Sequence, residues 1–376
     1  MTIPSAASPY SSDVQFYGVQ RPTINPNTLQ ITQQEFCHDV CVLTFWADDI
    51  GADSYNSGMP MSLTWGRPLV KRAFYGYVSH ASRSNNALAG SMDLMTRNST
   101  TVVCFGASWP MKASGTITWQ NQTASQVVTQ IAQSFGLITN IIPHDTVWPV
   151  LHMAGMTFWE FCVMLAKRIG YTFYVSGATL FFKPRNTDPT QLAGLVAYYD
   201  YRRDPGSMPV FMPTVGATNP FGGDLTNRNV SGIDFRTNQI IYSSLAGSPQ
   251  SKTFGNFTDT PVFNKTEHFT VRNQDEANVK INGAGQSNQL YITASARGTG
   301  DPLIAQGSLV FVANANGSQN GLWFVTKCVQ NMAPTAYSMD FSLGRDSLGA
   351  TVQVSGVTSV NTQHPVILSG GQWVAA

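Results

Sequence analysis

The sequence predicts a β-rich α+β protein. Two observations carry that expectation: short β-branched and aromatic runs separated by Gly, Pro, Asn and Asp towards both ends of the chain, and a switch to helical period after Gly115. Charge is scarce, at only 11% over 376 residues. With 43% apolar residues the chain can supply the cores of two to four domains. An average soluble protein is about 25% charged; here Ser, Thr, Asn and Gln, at about 30%, take the place of charge. A free monomer usually relies on charge for colloidal solubility, so this surface is expected to end against other subunits.

The net charge of +1, with basic pairs such as Lys71-Arg72 and Arg202-Arg203 but no longer run, gives no electrostatic footprint for duplex DNA. The start, "MTIPSAASPYSSDVQFYG", lacks the basic and apolar segments of a signal peptide, and runs such as "FCVMLA" are too short to span a bilayer. The expectation is a chain made in a cytoplasm and held there until released. Five cysteines, Cys37, Cys41, Cys104, Cys162 and Cys328, are scattered and odd in number, which argues for buried thiols over a disulfide framework.

Residues 1–112 read as β. "CVLTFWA" (Cys41 to Ala47), "MSLTWG" (Met61 to Gly66), "AFYGYVSHA" (Ala73 to Ala81) and "STTVVCFG" (Ser99 to Gly106) are strand-like, and their spacing suits a small barrel or sandwich. From Gly115 the period changes. In "TASQVVTQIAQSFG", Thr123 caps a helix and Gln126 closes a capping box; Val127, Val128, Ile131, Ala132 and Phe135 share a face, and Gly136 stops the helix. "MTFWEFCVMLAKRIGYTFYVSGATLFFKPR" repeats the logic with Thr157 and Glu160 as the box, Met156 and Phe161 as the staple, Lys167 and Arg168 on the C-terminal dipole, and Gly170 as the left-handed cap. Each such device contributes about 0.3 to 1.5 kcal/mol. "YTFYV" and "TLFFK" then pair across Ser176-Gly177 as a hairpin, closing a compact α+β unit over residues 113–186. Glu160, its one tempting acid, is thereby explained as a capping residue.

Residues 187–347 open with the Pro- and Gly-rich "RRDPGSMPVFMPTVGATNPFGG" and return to β, with a helical segment around 273–285 that Asn273 caps ahead of Glu276. This region carries an echo of the first. Pro60 precedes an apolar strand and Gly76-Tyr77-Val78 follows; Gly307 precedes "SLVFV", and Leu322-Trp323-Phe324-Val325 follows at similar spacing. Both regions close on a lone alternating strand, "TTVVCFG" and "YSMDFSLG".

The order of these features, with Trp119 before the first helix, Trp159 and Leu165 in the second, Gly170-Tyr171 into a hairpin, then Gly307, Trp323, Tyr337 and the ending "LGRDS" with Arg345, resembles the baseplate hub or tail hub proteins of tailed bacteriophages. These are related to the late control protein D group and to the base of type VI secretion spike proteins. The resemblance spans roughly residues 30–347. It implies two small β-barrel domains beside the α+β bracket, in a homotrimer whose six barrels form a ring. It also implies a hexameric tail tube protein on one side, a trimeric central spike or tip protein on the other, neighbouring baseplate, distal tail and tape-measure proteins, and genomic DNA passing through without sequence-specific binding. The location implied is the virion tail, assembled in the host cytoplasm, with no cofactor.

Catalysis and metal binding find little support. Asp48-Asp49 are sequence neighbours whose side chains would diverge on a strand. Period-two geometry would place Cys37 and Cys41 on one face and His38 on the other, poor for one zinc ion. His144-Asp145 lacks a nucleophile elbow, and "GTGDP" at Gly298 to Pro302 lacks the Lys-Ser/Thr pair of a phosphate loop. The alternative function is a carbohydrate- or receptor-binding tail protein, since Trp and Tyr on small β domains suit sugar stacking; a peptidoglycan hydrolase is a weaker third. Residues 348–376 extend past the resemblance without a charged residue. There "TVQVS" (351–355) and "PVIL" (365–368) can form strands that add to a sheet edge or groove of a neighbour, with Trp373 as anchor.

Overall fold

The computed structural model describes residues 11–17, 23–46, 54–67, 70–85, 98–185, 196–198, 210–213, 226–234, 237–245, 263–268, 271, 273–287, 290, 292–313, 321–334, 336–346, 366–370 and 372–375. Asp48-Asp49 and residues 348–365 lie outside these.

The β-branched runs of the first region become β1 (Ser11–Phe16), β2 (Thr23–Ile24), β3 (Thr28–Gln34), β4 (Val40–Trp46), β5 (Pro60–Arg67), β6 (Val70–Asn85) and β7 (Asn98–Gly106). The middle of the chain forms β8 (Ser114–Thr123), α1 (Ala124–Ser134), β9 (Ile138–Ile141), β10 (Val147–Thr157), α2 (Phe158–Ile169), β11 (Thr172–Ser176) and β12 (Thr179–Lys183). There follow β13 (Val196–Tyr198), β14 (Val210–Pro213), β15 (Thr226–Asp234), β16 (Gln239–Leu245), β17 (Phe263–His268), α3 (Gln274–Ser287), β18 (Ile292–Thr299), β19 (Leu309–Ala313), β20 (Gly321–Ala333) and β21 (Ala336–Arg345), then β22 (Val366–Ser369) and β23 (Gln372–Ala375). This is the β-rich α+β class.

The two β-rich ends, expected as separate barrels, share one 13-stranded sheet whose main path runs β14-β18-β21-β20-β3-β4-β7-β6-β5-β1-β2. The join is the antiparallel pair β3–β20, in register from Leu29 opposite Met332 to Gln34 opposite Lys327. Each half nevertheless wraps its own core. Val14, Leu43, Trp65 and Val102 fill the first, and Val310, Trp323, Cys328 and Phe341 the second. Period-two alternation explains the split: Leu29, Ile31 and Gln33 turn inward along β3, while its other face is less buried.

Between the halves sits the α+β unit, with β8 and β10 as an antiparallel ribbon and the β11–β12 hairpin extended by β9, parallel to β12. Its core gathers Val128 and Ile131 of α1, Phe161 and Leu165 of α2, and Phe173 and Phe182 of the hairpin. The hairpin turn is Gly177-Ala178, one residue later than the sequence suggested, with Gly177 at φ +62° supplying the left-handed backbone. Every residue of β11 is buried, because the hairpin is covered on both faces. Phe173 and Val175 look into the α+β core, and Tyr174 meets the second half at Gly307.

The helical segment expected inside the second half forms as α3, with the Asn273 side chain accepting from the Glu276 N–H at 2.8 Å. It packs on α2 so closely that a Cβ on Gly283 would lie 2.2 Å from the Arg168 carbonyl oxygen. At the C-terminus, Val366–Ser369 pairs with the chain's own last strand, Gln372–Ala375, and Leu368 packs against the α+β core. The strand expected at 365–368, offered by the sequence to a neighbour's sheet edge or groove, is paired within its own hairpin. No helix among the described residues is long and apolar enough to cross a membrane.

Candidate assembly interface

The echo in the sequence becomes a duplicated strand unit. In the first half β3, β4, β5, β6 and β7 are ordered β5-β6-β7-β4-β3; in the second, β14, β18, β19, β20 and β21 are ordered β19-β20-β21-β18-β14. The chain order of equivalent strands is the same in both. The match extends to single hydrogen bonds. Gly58, at φ +84°, donates its N–H to the Val78 carbonyl at 2.8 Å, and the Val78 N–H donates to Met59 at 2.8 Å. Gly307, at φ +78°, donates to the Val325 carbonyl at 2.9 Å, and the Val325 N–H donates to Ser308 at 2.8 Å. Each long strand then bulges at once, between Val78 and His80 opposite β7, and between Val325 and Lys327 opposite β21. Inward residues coincide too: Met61 and Leu63 face Gly76 and Phe74, as Val310 and Val312 face Trp323 and Gly321. The true counterpart of Gly307 is thus Gly58 rather than the Pro60 that the sequence pattern offered.

A buried polar joint ties the halves to the α+β unit. Asp39 accepts from Gln33 Nε2 at 3.0 Å and, across the chain, from Gln306 Nε2 at 3.1 Å. Burial pushes its carboxyl up to about 7, against the opposing pull of the Gln33 bond, the Arg72 charge and the Gln306 bond. Arg72 donates to Ser176 Oγ at 2.6 Å and to the Pro302 carbonyl at 3.2 Å, so one guanidinium spans three regions; burial lowers its pKa. Nearby, Glu35 accepts from Thr172 Oγ1 and pairs with Arg185 at 3.4 Å, while its N–H donates to the Thr326 carbonyl at 3.0 Å. None of these residues was singled out as a site from the sequence, where Arg72 figures only as half of a basic pair. Their signal was available: Arg72 and Gln33 occupy inward positions of alternating strands, beside Phe74 and Ile31, where an apolar residue is expected.

The residues singled out from sequence lie mostly in the α+β unit. Both capping boxes are complete, with Thr123 Oγ1 accepting from Gln126 N–H at 3.2 Å and Thr157 Oγ1 from Glu160 N–H at 3.1 Å. Gly170 takes the left-handed cap at φ +77°. Trp119 stacks on Phe161 and donates to Gln130 Oε1 at 3.1 Å. Trp159 stacks on His38 with ring centroids 4.0 Å apart and donates to the Phe36 carbonyl at 3.4 Å. Trp323 is fully buried in the second core with the Arg345 guanidinium over its ring at 4.8 Å. Trp373 lies on β23, and its side chain is outside the described residues.

Arg168 and Lys167, read as dipole partners, do more than that. Arg168 pairs with Glu276 of α3 and stacks over Trp148 at 3.8 Å, latching α3 to α2; Lys167 sits over Phe36. The strand argument for Cys37 and His38 did not apply, because both lie in the link between β3 and β4. Cys37 is exposed and Cys41 buried, while His38, bonded to Ser108 at 2.8 Å, is pulled down to about 4 by burial and then by Lys112. No cluster of metal-ligating side chains occurs among the described residues. Glu160 is exposed, and its hydrogen bonds from Thr157 lower its pKa; a general acid needs the opposite shift. Asp301 Oδ1 accepts from the Leu303 N–H at 2.8 Å, which makes "GTGDP" a turn.

No protein-family model and no curated protein matches this chain in sequence. Solved structures do match its fold. The 43 kDa tail protein of prophage MuSo2 from Shewanella oneidensis superposes with a TM-score of 0.67 at 12% identity, over 90% of this chain and 99% of that one. The tail protein from Neisseria meningitidis MC58 gives 0.66 at 12% identity, over 90% and 97%. An E. coli protein described as a component of the type VI secretion system, similar in structure to the T4 bacteriophage tail proteins gp27 and gp5, gives 0.52 at 12% identity, over 94% and 81%. At such identity the likeness is one of fold: the chain has the fold of phage tail proteins.

Proposed function

We propose that the protein is a structural phage tail component, a hub of which three copies form a ring at the distal end of the tail. The observation that carries this is the duplicated strand unit, matched at Gly58 and Gly307, Val78 and Val325, and the bulge after each valine. A chain with two equivalent half-units lets three copies present six similar faces, the simplest way to seat a trimer on a hexameric tube. The opposite side then offers threefold symmetry to a central spike or tip, and the lumen passes DNA without gripping it, in keeping with a net charge of +1. The bracket and the Asp39–Arg72 joint hold the angle between the half-units. Among the described residues Trp65, Trp119, Trp148, Trp159 and Trp323 are buried, which disfavours sugar stacking as their role, while Trp109 is half-buried against Tyr77 and Phe105.

Light scattering and electron imaging of purified protein, alone and with a trimeric spike, test the reading. The expected particle has three times the 40.9 kDa chain mass and six similar lobes. A chain that stays monomeric with every tail component overturns it.

A further inference from the structure

We propose that adjacent copies are joined by strand pairing between β14 of one and the open edge of β6 in the next, repeating between chains the β3–β20 join made within each. This rests on the ring reading and adds to it the residues that close the ring.

The internal join supplies the template. β19 covers β20 only from Gly321 to Phe324, as far as the bulge, and beyond it β3 takes over the vacated edge from Lys327 to Met332. In the first half β5 likewise covers β6 only from Val70 to Tyr77. Beyond that bulge, residues 80–85 pair with β7 on one side and with no other strand among the described residues. The strand equivalent to β3 is β14, since both form antiparallel pairs with equivalent neighbours, β4 and β18. β14 pairs only with β18 among the described residues and ends the sheet path, and its Met212 is 61% exposed. Among the described residues each chain therefore carries one join of this type already made and both halves of a second one unmade. Within a single chain the two open edges sit at opposite ends of the repeat, so a second copy is the occupant that satisfies both. Unpaired edges of this kind invite pairing.

The template also fixes register. Aligning the bulges makes Ser84 the counterpart of Asn331, and aligning the β4 and β18 pairs makes Met212 the counterpart of Gln30. Gln30 and Asn331 face one another, with Nε2 donating to Oδ1 at 2.9 Å. Met212 of one copy should then face Ser84 of the next. Pro213 offers a carbonyl but no N–H, so this ladder is short.

Directly opposed positions in an antiparallel pair lie within disulfide range. In a Cys37→Ser background, with the remaining cysteines buried, the Ser84→Cys/Met212→Cys chain is oxidised by copper phenanthroline and run on a non-reducing denaturing gel. The expected result is a thiol-reversible ladder ending at three chains. Each single variant should stay monomeric on the gel, as should Arg83→Cys/Met212→Cys, whose first cysteine points to the other face. A trimer in light scattering with no cross-link at 84 and 212 overturns the strand join and leaves the ring standing. A chain that neither cross-links nor trimerises overturns both, and a ladder running past three chains upholds the join while refuting closure at three.

Discussion

Replacing Gly58 and Gly307 separately by alanine tests the duplication and the hairpin contact together. Both glycines hold the left-handed backbone, at φ +84° and +78°, and both make the same pair of hydrogen bonds around a valine. A side chain in that conformation costs about 1–2 kcal/mol. A Cβ on Gly58 meets nothing within 4 Å, so Gly58→Ala should lose that amount and no more. A Cβ on Gly307 would lie 2.4 Å from Tyr174 Oη and 2.7 Å from its Cζ. Tyr174 cannot swing clear, being 1% exposed and stacked on Phe181 at 4.7 Å. Overpacking a well-filled site costs about 1–3 kcal/mol, so Gly307→Ala should lose about 2–5 kcal/mol in all. Denaturant titrations of the two variants and the parent chain, compared at constant slope, read the difference. Equal losses would show that the hairpin does not seat against Gly307 as described, and no loss at Gly58 would refute the conformational argument.

Trp159→Ala should cost about 3–5 kcal/mol as a buried aromatic deletion, read by thermal melting, while Glu160→Gln should leave the melt unchanged and create or remove no activity in a cell-wall zymogram. Asp39 keeps its proton in the folded state up to about pH 7, whereas its ordinary value is 3.8. The native state therefore binds more protons across that window, so this contribution to stability is whole below pH 3.8 and lost as pH rises to about 7. Melting temperatures of Asp39→Asn should be flatter than those of the parent between pH 4 and 7, and an unchanged slope would move the titration elsewhere. Arg168→Ala should loosen α3, seen as faster amide exchange over Gln274–Ser287 with α1 unaffected; uniform exchange in both helices would refute the latch. Truncation after residue 347 should preserve most of the melting transition while lowering incorporation into tails, and particles assembled normally from the short chain would leave the C-terminal hairpin without an assembly role.

What the sequence by itself determined was local. Thr123 with Gln126 and Thr157 with Glu160 are legible because a capping box closes within three residues, and Gly170 because a left-handed cap follows directly on the helix it ends. The strands around Cys41, Met61 and Ser99 were legible for a similar reason, since side-chain alternation is a property of the strand itself. Tertiary structure decided whatever depends on residues distant in the chain. The sequence shows Gln30 and Asn331 only as two amides on two strands, and nothing local states that β3 leaves its own half to pair with β20. The duplication was half visible for the same reason: turn spacing carried the echo, but only the hydrogen bonds to Val78 and Val325 identify Gly58 as the partner of Gly307. Asp39 carries no such pattern in sequence, and the inward position of Arg72 on its strand does not state what meets it there. They became a buried joint because the α+β hairpin and the second half close over them, and burial, which shifts a carboxylate upward, is a property of the assembled fold alone.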